Sequence, residues 1–165
     1  MPEGLDGVFA VAAYAGTGAR LVASVKYGSG RVAVPWLARR MAPLVAGIRF
    51  DLVTWVPTTT ARRRERGFDH ARLLARRISR ETGVRCAPTL RRLPGPAQTG
   101  RSAADRHIGP AFVARRAIDG RSVLVVDDVL TTGSTLRRAA EALRGAGGTQ
   151  VFGLVAARTP LKARR

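Results

Sequence analysis

Two adjacent carboxylates, Asp127 and Asp128, stand just after the apolar run at 123–126. They precede a turn in which four of five residues (Thr131, Thr132, Ser134 and Thr135, around Gly133) carry hydroxyls. Small side chains and a glycine let main-chain N–H groups converge at the start of a following helix, where the partial positive charge favours a phosphate. The hydroxyls add further donors. Ionised carboxylates only accept hydrogen bonds, so Asp127 and Asp128 suit neighbouring sugar hydroxyls and not a phosphate. A phosphate cradle beside a pair of diol acceptors describes a ribose 5-phosphate group. An ordinary turn cap at Asp128, or an N-cap at Thr132 or Ser134, accounts for one residue at a time. It does not account for the whole constellation.

These residues need elements to position them. The run 122–126 reads as a buried strand that ends at the two carboxylates, and 136–143 as a helix closed by Gly145, Gly147 and Gly148. Further strands are expected at 8–14, at 51–56 (stopped by Pro57), at 150–157 and, more weakly marked, at 84–87. Helices are expected over 32–46, where Val34, Leu37, Met41, Leu44 and Val45 recur at helical spacing, and over 68–78, ending near Gly83. Strands apolar on both faces and alternating with helices predict a parallel sheet covered on both sides. Ligands of such sheets sit at the carboxyl ends of the strands. The segment 88–110, with Pro94, Gly95, Pro96, Gly100, Gly109 and Pro110, predicts a long mobile loop. The basic tail at 160–165 is expected to fray. The whole chain, 1–165, reads as a single domain, since domains usually run ~100–200 residues.

Composition narrows the class. Hydrophobic residues make up 45% and aromatics only 5%, so the core must be built mainly from Ala, Val and Leu. The single cysteine, Cys86, leaves no internal disulfide and no Cys/His cluster with zinc spacing, and a reducing cytoplasm is the expected setting. No apolar stretch approaches the ~18 residues a membrane span needs. Net charge is +18, and 27 of the 29 basic residues are arginine, the better bidentate phosphate ligand. The arginines are spread through nearly every segment, which supports an anionic ligand. Nucleic acid gains from them only a general attraction. Gly28, Gly30 and Ala33 match a G-x-G-x-x-A dinucleotide pattern, with Asp51 about twenty residues further on. Pro35, two residues past the pattern, argues against that reading.

The 123–135 segment resembles the phosphoribosyl-pyrophosphate loop of type I phosphoribosyltransferases: four apolar residues, two acidic, two apolar, then a Thr/Gly-rich turn. The stretch from Val56-Pro57 through Thr58, Thr59, Thr60 and Arg62 to Arg66-Gly67-Phe68 resembles the second signature of the ComF-like (competence protein F) branch. Lys26-Tyr27-Gly28, and Gln98-Thr99 with Ser102, Arg106 and Ala111-Phe112, fit the same branch. The chain departs from it at Asp69 and His70, where Asn-Gln is usual, and at Ala61, where lysine is common.

The resemblance implies a three-layer α/β fold of the type I phosphoribosyltransferase kind, with a central, mainly parallel sheet flanked by helices and a mobile loop or hood. It implies binding of phosphoribosyl pyrophosphate and Mg2+, and transfer of the phosphoribosyl group to an unidentified acceptor with release of pyrophosphate. Asp127 and Asp128 would hold the ribose hydroxyls, and the metal indirectly through those hydroxyls or water. Thr131, Thr132, Gly133, Ser134 and Thr135 would take the 5-phosphate, and Thr58, Thr59, Thr60 and Arg62 the pyrophosphate. Arg101 or Arg106 would close over the site with the mobile loop. Thr131 stands where relatives acting on 6-oxopurines carry a third acid, which argues against such an acceptor. The alternative is a ligand-sensing or DNA-uptake (competence) accessory module that keeps the phosphoribosyl site without catalysis. A homodimer is a further expectation of the fold. Many members of the branch begin with a Cys-rich zinc ribbon, and one cysteine cannot build it.

Overall fold

Val123, Leu124, Val125 and Val126 are all fully buried, which a strand achieves only when both faces of its sheet are covered. The computed structural model describes residues 2–14, 16, 30–94 and 111–160. In chain order these form β1 (Gly7–Ala13), α1 (Gly30–Met41, continued by a 3-10 turn at Ala42–Val45), β2 (Leu52–Trp55), α2 (Thr60–Arg66), α3 (His70–Thr82), β3 (Leu90–Arg92), β4 (Phe112–Ala114), β5 (Ser122–Leu130), α4 (Ser134–Gly145) and β6 (Gln150–Arg158). The main sheet has the order β1-β6-β5-β2 with every neighbouring pair parallel. β3 and β4 form a separate antiparallel pair.

Side chains along β5 alternate between the two faces. Leu124 and Val126 pack with Leu37 and Met41 of α1 and Leu74 and Ile78 of α3. Val123 and Val125 pack on the opposite side with Leu136 and Leu143 of α4 and with Leu90 and Phe112 of the β3–β4 pair. Each fully buried Val or Leu side chain stabilises the fold by ~1.5–3 kcal/mol relative to exposure, so these two apolar layers hold the sheet between helices. The layered α/β architecture expected from the pattern is the one observed. Among the described residues no helix is long and apolar enough to cross a membrane.

Several boundaries differ from the sequence expectation. β5 does not stop before the carboxylates. It runs on to Leu130 because β6 pairs with it along its full length, to Leu130↔Arg158, and Thr159 N donates to Leu130 O at 2.8 Å. The expected strand at 84–87 shrinks to one parallel bridge, Val53↔Cys86. It is held by Val53 N to Arg85 O (2.9 Å) and Ala87 N to Val53 O (3.0 Å). The basic stretch after Thr60, assigned to no element from the sequence, is the short helix α2. Within 88–110, residues 90–92 are strand, not loop. Local composition hid this, because their partner is β4, with Arg92 opposite Phe112. The remaining 95–110, like 161–165, lies outside the described residues.

Candidate functional site

β2 ends at Trp55, paired with Val126 of β5, and Pro57 has no N–H with which to continue the ladder. β5 extends four residues beyond that last pair while β6 covers only its other side. Among the described residues no strand pairs with the β2 side of Asp127, Asp128, Val129 and Leu130. Successive strand residues point to opposite faces, yet Asp127 and Asp128 both line the cleft beyond the end of β2, of about 400 Å³. Asp127 Oδ1 accepts from Asp128 N at 2.8 Å, which fixes its carboxylate against the strand end.

Three other elements close the cleft. The first is the turn into α4. Gly133, the N-cap, has φ +82° and provides no side-chain cap, a left-handed conformation that glycine adopts without penalty. Thr131 and Thr135 line the cleft. Thr132, Gly133 and Ser134 instead line an adjoining depression of about 300 Å³ with Pro2, Glu3 and Arg137. The Thr132 and Ser134 hydroxyls are 3.1 Å apart, and Ser134 N donates weakly to Thr132 Oγ1 at 3.4 Å.

The second element is the N-terminus of α3. Asp69 is its N-cap in an extended conformation. Its carboxylate accepts from Arg72 N (3.2 Å) and, across the cleft wall, from Thr58 N (3.5 Å). The loop after β2 and the start of α3 are thereby tied together, and Thr58 is held in the lining. His70, the first residue of α3, is 5% exposed and stacks at a tilt on Phe68 with ring centroids 4.6 Å apart. The third element is β3, which brings Arg92 into the lining with its guanidinium 5.8 Å from the Phe112 ring centre.

Of the residues expected at the site, Asp127, Asp128, Thr131, Thr135 and Thr58 meet in one cleft. Thr60 starts α2 and Thr59 precedes it, its carbonyl accepting from Arg63 N at 2.9 Å, and neither lines the cleft. The Arg62 side chain lies outside the described residues, and so do Arg101 and Arg106. Asp69, His70 and Arg92 were missed as site residues. For the first two a signal existed, the departure from Asn-Gln. For Arg92 there was none, since its place depends on strand pairing across the 95–110 segment. Asp51 precedes β2, at the end of the sheet away from the cleft, and its carboxylate accepts from Ser122 N at 2.8 Å. The dinucleotide pattern therefore has no ribose acid at a strand end.

Among the described residues the cleft is lined by three carboxylates (Asp69, Asp127, Asp128) and one guanidinium, Arg92, in a protein of net charge +18. Like charges ~4 Å apart repel by ~1 kcal/mol in water and ~4 kcal/mol at the effective dielectric of a protein surface, so a cation bound beside these carboxylates would ease the approach of a phosphorylated ligand. Among the described residues no group of three or more His, Cys, Asp or Glu is arranged to hold a metal by itself. The donor set suits a hydrated ion shared with ligand oxygens. A larger hollow, about 680 Å³, lies at the opposite end of the sheet. Its acids are already engaged, Asp51 by Ser122 and Glu81 by Arg77 at 2.8 Å.

The model of the phosphoribosyl transferase domain matches residues 65–162 of this chain, a stretch that runs from the end of α2 through β6. The chain is 39% identical over 102 residues to the adenine phosphoribosyltransferase of Frankia casuarinae, covering 59% of this chain and 50% of that protein. It is 41% identical over 51 residues to the ribose-phosphate pyrophosphokinase of Thermococcus kodakarensis, covering 28% of this chain and 18% of that one. The matches thus span half or less of the length of these curated relatives. Among solved structures, the glutamine phosphoribosylpyrophosphate amidotransferase of B. subtilis, complexed with ADP and GMP, superimposes with a TM-score of 0.52 at 26% identity. That match covers 73% of this chain and 25% of that one. The purine phosphoribosyltransferase of Pyrococcus horikoshii gives 0.52 at 16% identity over 81% of this chain and 78% of its own, a likeness of fold alone.

Proposed function

This chain belongs to the phosphoribosyl transferase domain family, and from that membership we propose that its cleft binds phosphoribosyl pyrophosphate with Mg2+ and transfers the phosphoribosyl group to an acceptor, releasing pyrophosphate. The observation that carries the reading is the meeting of Asp127 and Asp128 with Thr131 and Thr135 in one open cleft at the end of β5. The first pair accepts hydrogen bonds from the ribose hydroxyls. The second pair, with the uncapped N-terminus of α4, receives the 5-phosphate. A volume of about 400 Å³ falls within the range of small-ligand sites.

In the reaction the bond from ribose C1 to the pyrophosphate oxygen breaks with its electron pair leaving on the pyrophosphate, C1 bonds to the acceptor nucleophile, and the proton the acceptor sheds passes to the released pyrophosphate or to water. No protein nucleophile is required. The residues act by positioning and by stabilising charge. Thr58, held by Asp69, and Arg92 face the pyrophosphate end, while Asp127 and Asp128 stabilise charge developing on the sugar. Asp127 and Asp128 would hold Mg2+ indirectly, through ribose hydroxyls or water, and the bound ion would supply charge neutralisation for the departing pyrophosphate. The carboxylates of Asp69, Asp127 and Asp128 in the lining of the cleft support this role for a cation. Arg101 or Arg106, carried by the 95–110 segment, would shield the site from water.

Thr131 lines the cleft and its hydroxyl cannot carry a proton as a carboxylic acid does, which disfavours a 6-oxopurine acceptor. The Val56-Pro57 and Arg66-Gly67-Phe68 signatures support a place in the ComF-like branch, and the single cysteine supports a reducing, cytoplasmic setting. The test is pyrophosphate release with phosphoribosyl pyrophosphate, Mg2+ and a panel of bases and amines. Turnover with one acceptor, abolished by Asp127→Asn/Asp128→Asn, is expected. Ligand binding without turnover on any acceptor would favour the sensing module instead.

A further inference from the structure

Residues 2–6 lie along the whole length of α4. At its C-terminal end, Arg144 donates from Nε to Gly4 O (2.9 Å) and from a terminal nitrogen to Asp6 Oδ2 (2.6 Å). The same Asp6 oxygen accepts from Val151 N at 2.7 Å, and Asp6 N donates to Val151 O at 2.9 Å. In the middle, Leu5 is 5% exposed and belongs to the apolar cluster of Leu136, Ala139, Ala140 and Leu143. Gly4 packs on the helix: a Cβ on it would sit in ordinary contact, 3.5 Å from Ala140 Cβ. At the N-terminal end, Pro2 abuts Gly133: a Cβ there would lie 2.6 Å from Pro2 Cγ and 3.0 Å from Pro2 Cβ.

We propose that residues 2–6 are a strap that holds the 131–135 turn in its phosphate-receiving shape, with Pro2 and Arg144 as positioning residues. This rests on the reading of that turn as the 5-phosphate site. Gly133 is where the turn has most conformational freedom, and the rigid ring of Pro2 fills the space beside it that a side chain would take. Pro2 and Glu3 line the depression beside Thr132 and Ser134 but not the cleft, so the strap acts through the turn without touching ligand. Holding a binding loop in its bound shape raises affinity by lowering the ordering cost of association. Arg144 anchors the far end. Its two contacts to the strap set how firmly Pro2 is pressed on Gly133.

The experiment compares the full chain with Pro2→Gly, Arg144→Met and Arg144→Lys. Calorimetric affinity for ribose 5-phosphate reads the turn, and affinity for pyrophosphate with Mg2+ reads the other end of the cleft. Hydrogen exchange of the amides at 131–135 reads the turn without ligand. Pro2→Gly and Arg144→Met are expected to weaken ribose 5-phosphate by roughly three- to tenfold, leave pyrophosphate within about twofold, and speed exchange in the turn. Arg144→Lys, whose ammonium still pairs with Asp6, is expected to recover part of the loss. Unchanged or tighter ribose 5-phosphate binding overturns the proposal, as does an equal loss for both ligands, the mark of general destabilisation. If the wild-type chain binds no ribose 5-phosphate, the reading of the turn as a phosphate site fails. The strap is then judged by exchange alone, and unchanged rates in Pro2→Gly overturn it.

Discussion

The root of the β3–β4 pair offers a sharp test of how the cleft is assembled. Thr54, in β2, is fully buried, and Thr89, just before β3, is 1% exposed. Thr89 Oγ1 donates to Thr54 Oγ1 at 2.7 Å, and Thr89 N approaches the same oxygen at 3.4 Å while also donating to Ala87 O at 3.0 Å. Thr54→Val keeps the shape but strands the Thr89 hydroxyl, since its backbone N–H retains the Ala87 carbonyl. A buried hydroxyl without a partner costs ~1–3 kcal/mol. Removing both hydroxyls leaves no orphan, so Thr54→Val/Thr89→Val should lie close to wild type, giving a coupling of ~1–2 kcal/mol in the double-mutant cycle. Urea unfolding of the four proteins measures this. For a chain of this size each ~1 kcal/mol also moves Tm by about 2–4 °C. Pyrophosphate affinity should follow the single variants down, because the same root places Arg92. Additive single effects, or a double variant worse than either, would refute the reasoning.

Arg92→Gln should weaken pyrophosphate–Mg2+ binding about tenfold, the scale of one charge-assisted hydrogen bond, and leave ribose 5-phosphate unchanged; titration with both ligands checks it. Asp69→Ala should cost ~1 kcal/mol of stability as a lost N-cap and loosen Thr58. Asp69→Asn, which keeps one acceptor oxygen, should retain most of both in urea unfolding and pyrophosphate titration. Burial pushes the Cys86 thiol above its ordinary value of 9.0, opposed by the nearby Arg76 and Arg72. The stability this confers is complete below that ordinary value and is lost as pH rises through the raised one. Urea midpoints should therefore fall at alkaline pH less steeply in Cys86→Ser than in wild type.

The layered sheet was legible because its strands and helices carry the two periodicities that sequence can show. The 122–126 and 150–157 runs are largely apolar on both faces, and Leu74 and Ile78 recur at helical spacing. The length of β5 was not legible, because Asp127 and Asp128 look like a strand's end and only pairing with β6 keeps them inside it. Half of the cleft was visible in one contiguous segment, from Asp127 to Thr135. The other half comes from three separate places in the chain. Asp69 and His70 are ordinary helix-start residues until α3 is set beside β5, and Arg92 is one arginine among 27 until β3 finds β4. The division of the turn was hidden as well. Thr131 and Thr135 face the cleft while Thr132 and Ser134 face the strap, because a helix start distributes neighbouring side chains around its axis.

The most direct measurement is calorimetric titration of phosphoribosyl pyrophosphate with Mg2+ into the wild-type chain and into Asp127→Asn/Asp128→Asn. The account predicts one site in the wild type and a loss of about ten- to a hundredfold in the variant, the scale of two charge-assisted hydrogen bonds weakened. Equal affinity in the two proteins, or no heat with the folded wild-type chain, would contradict it.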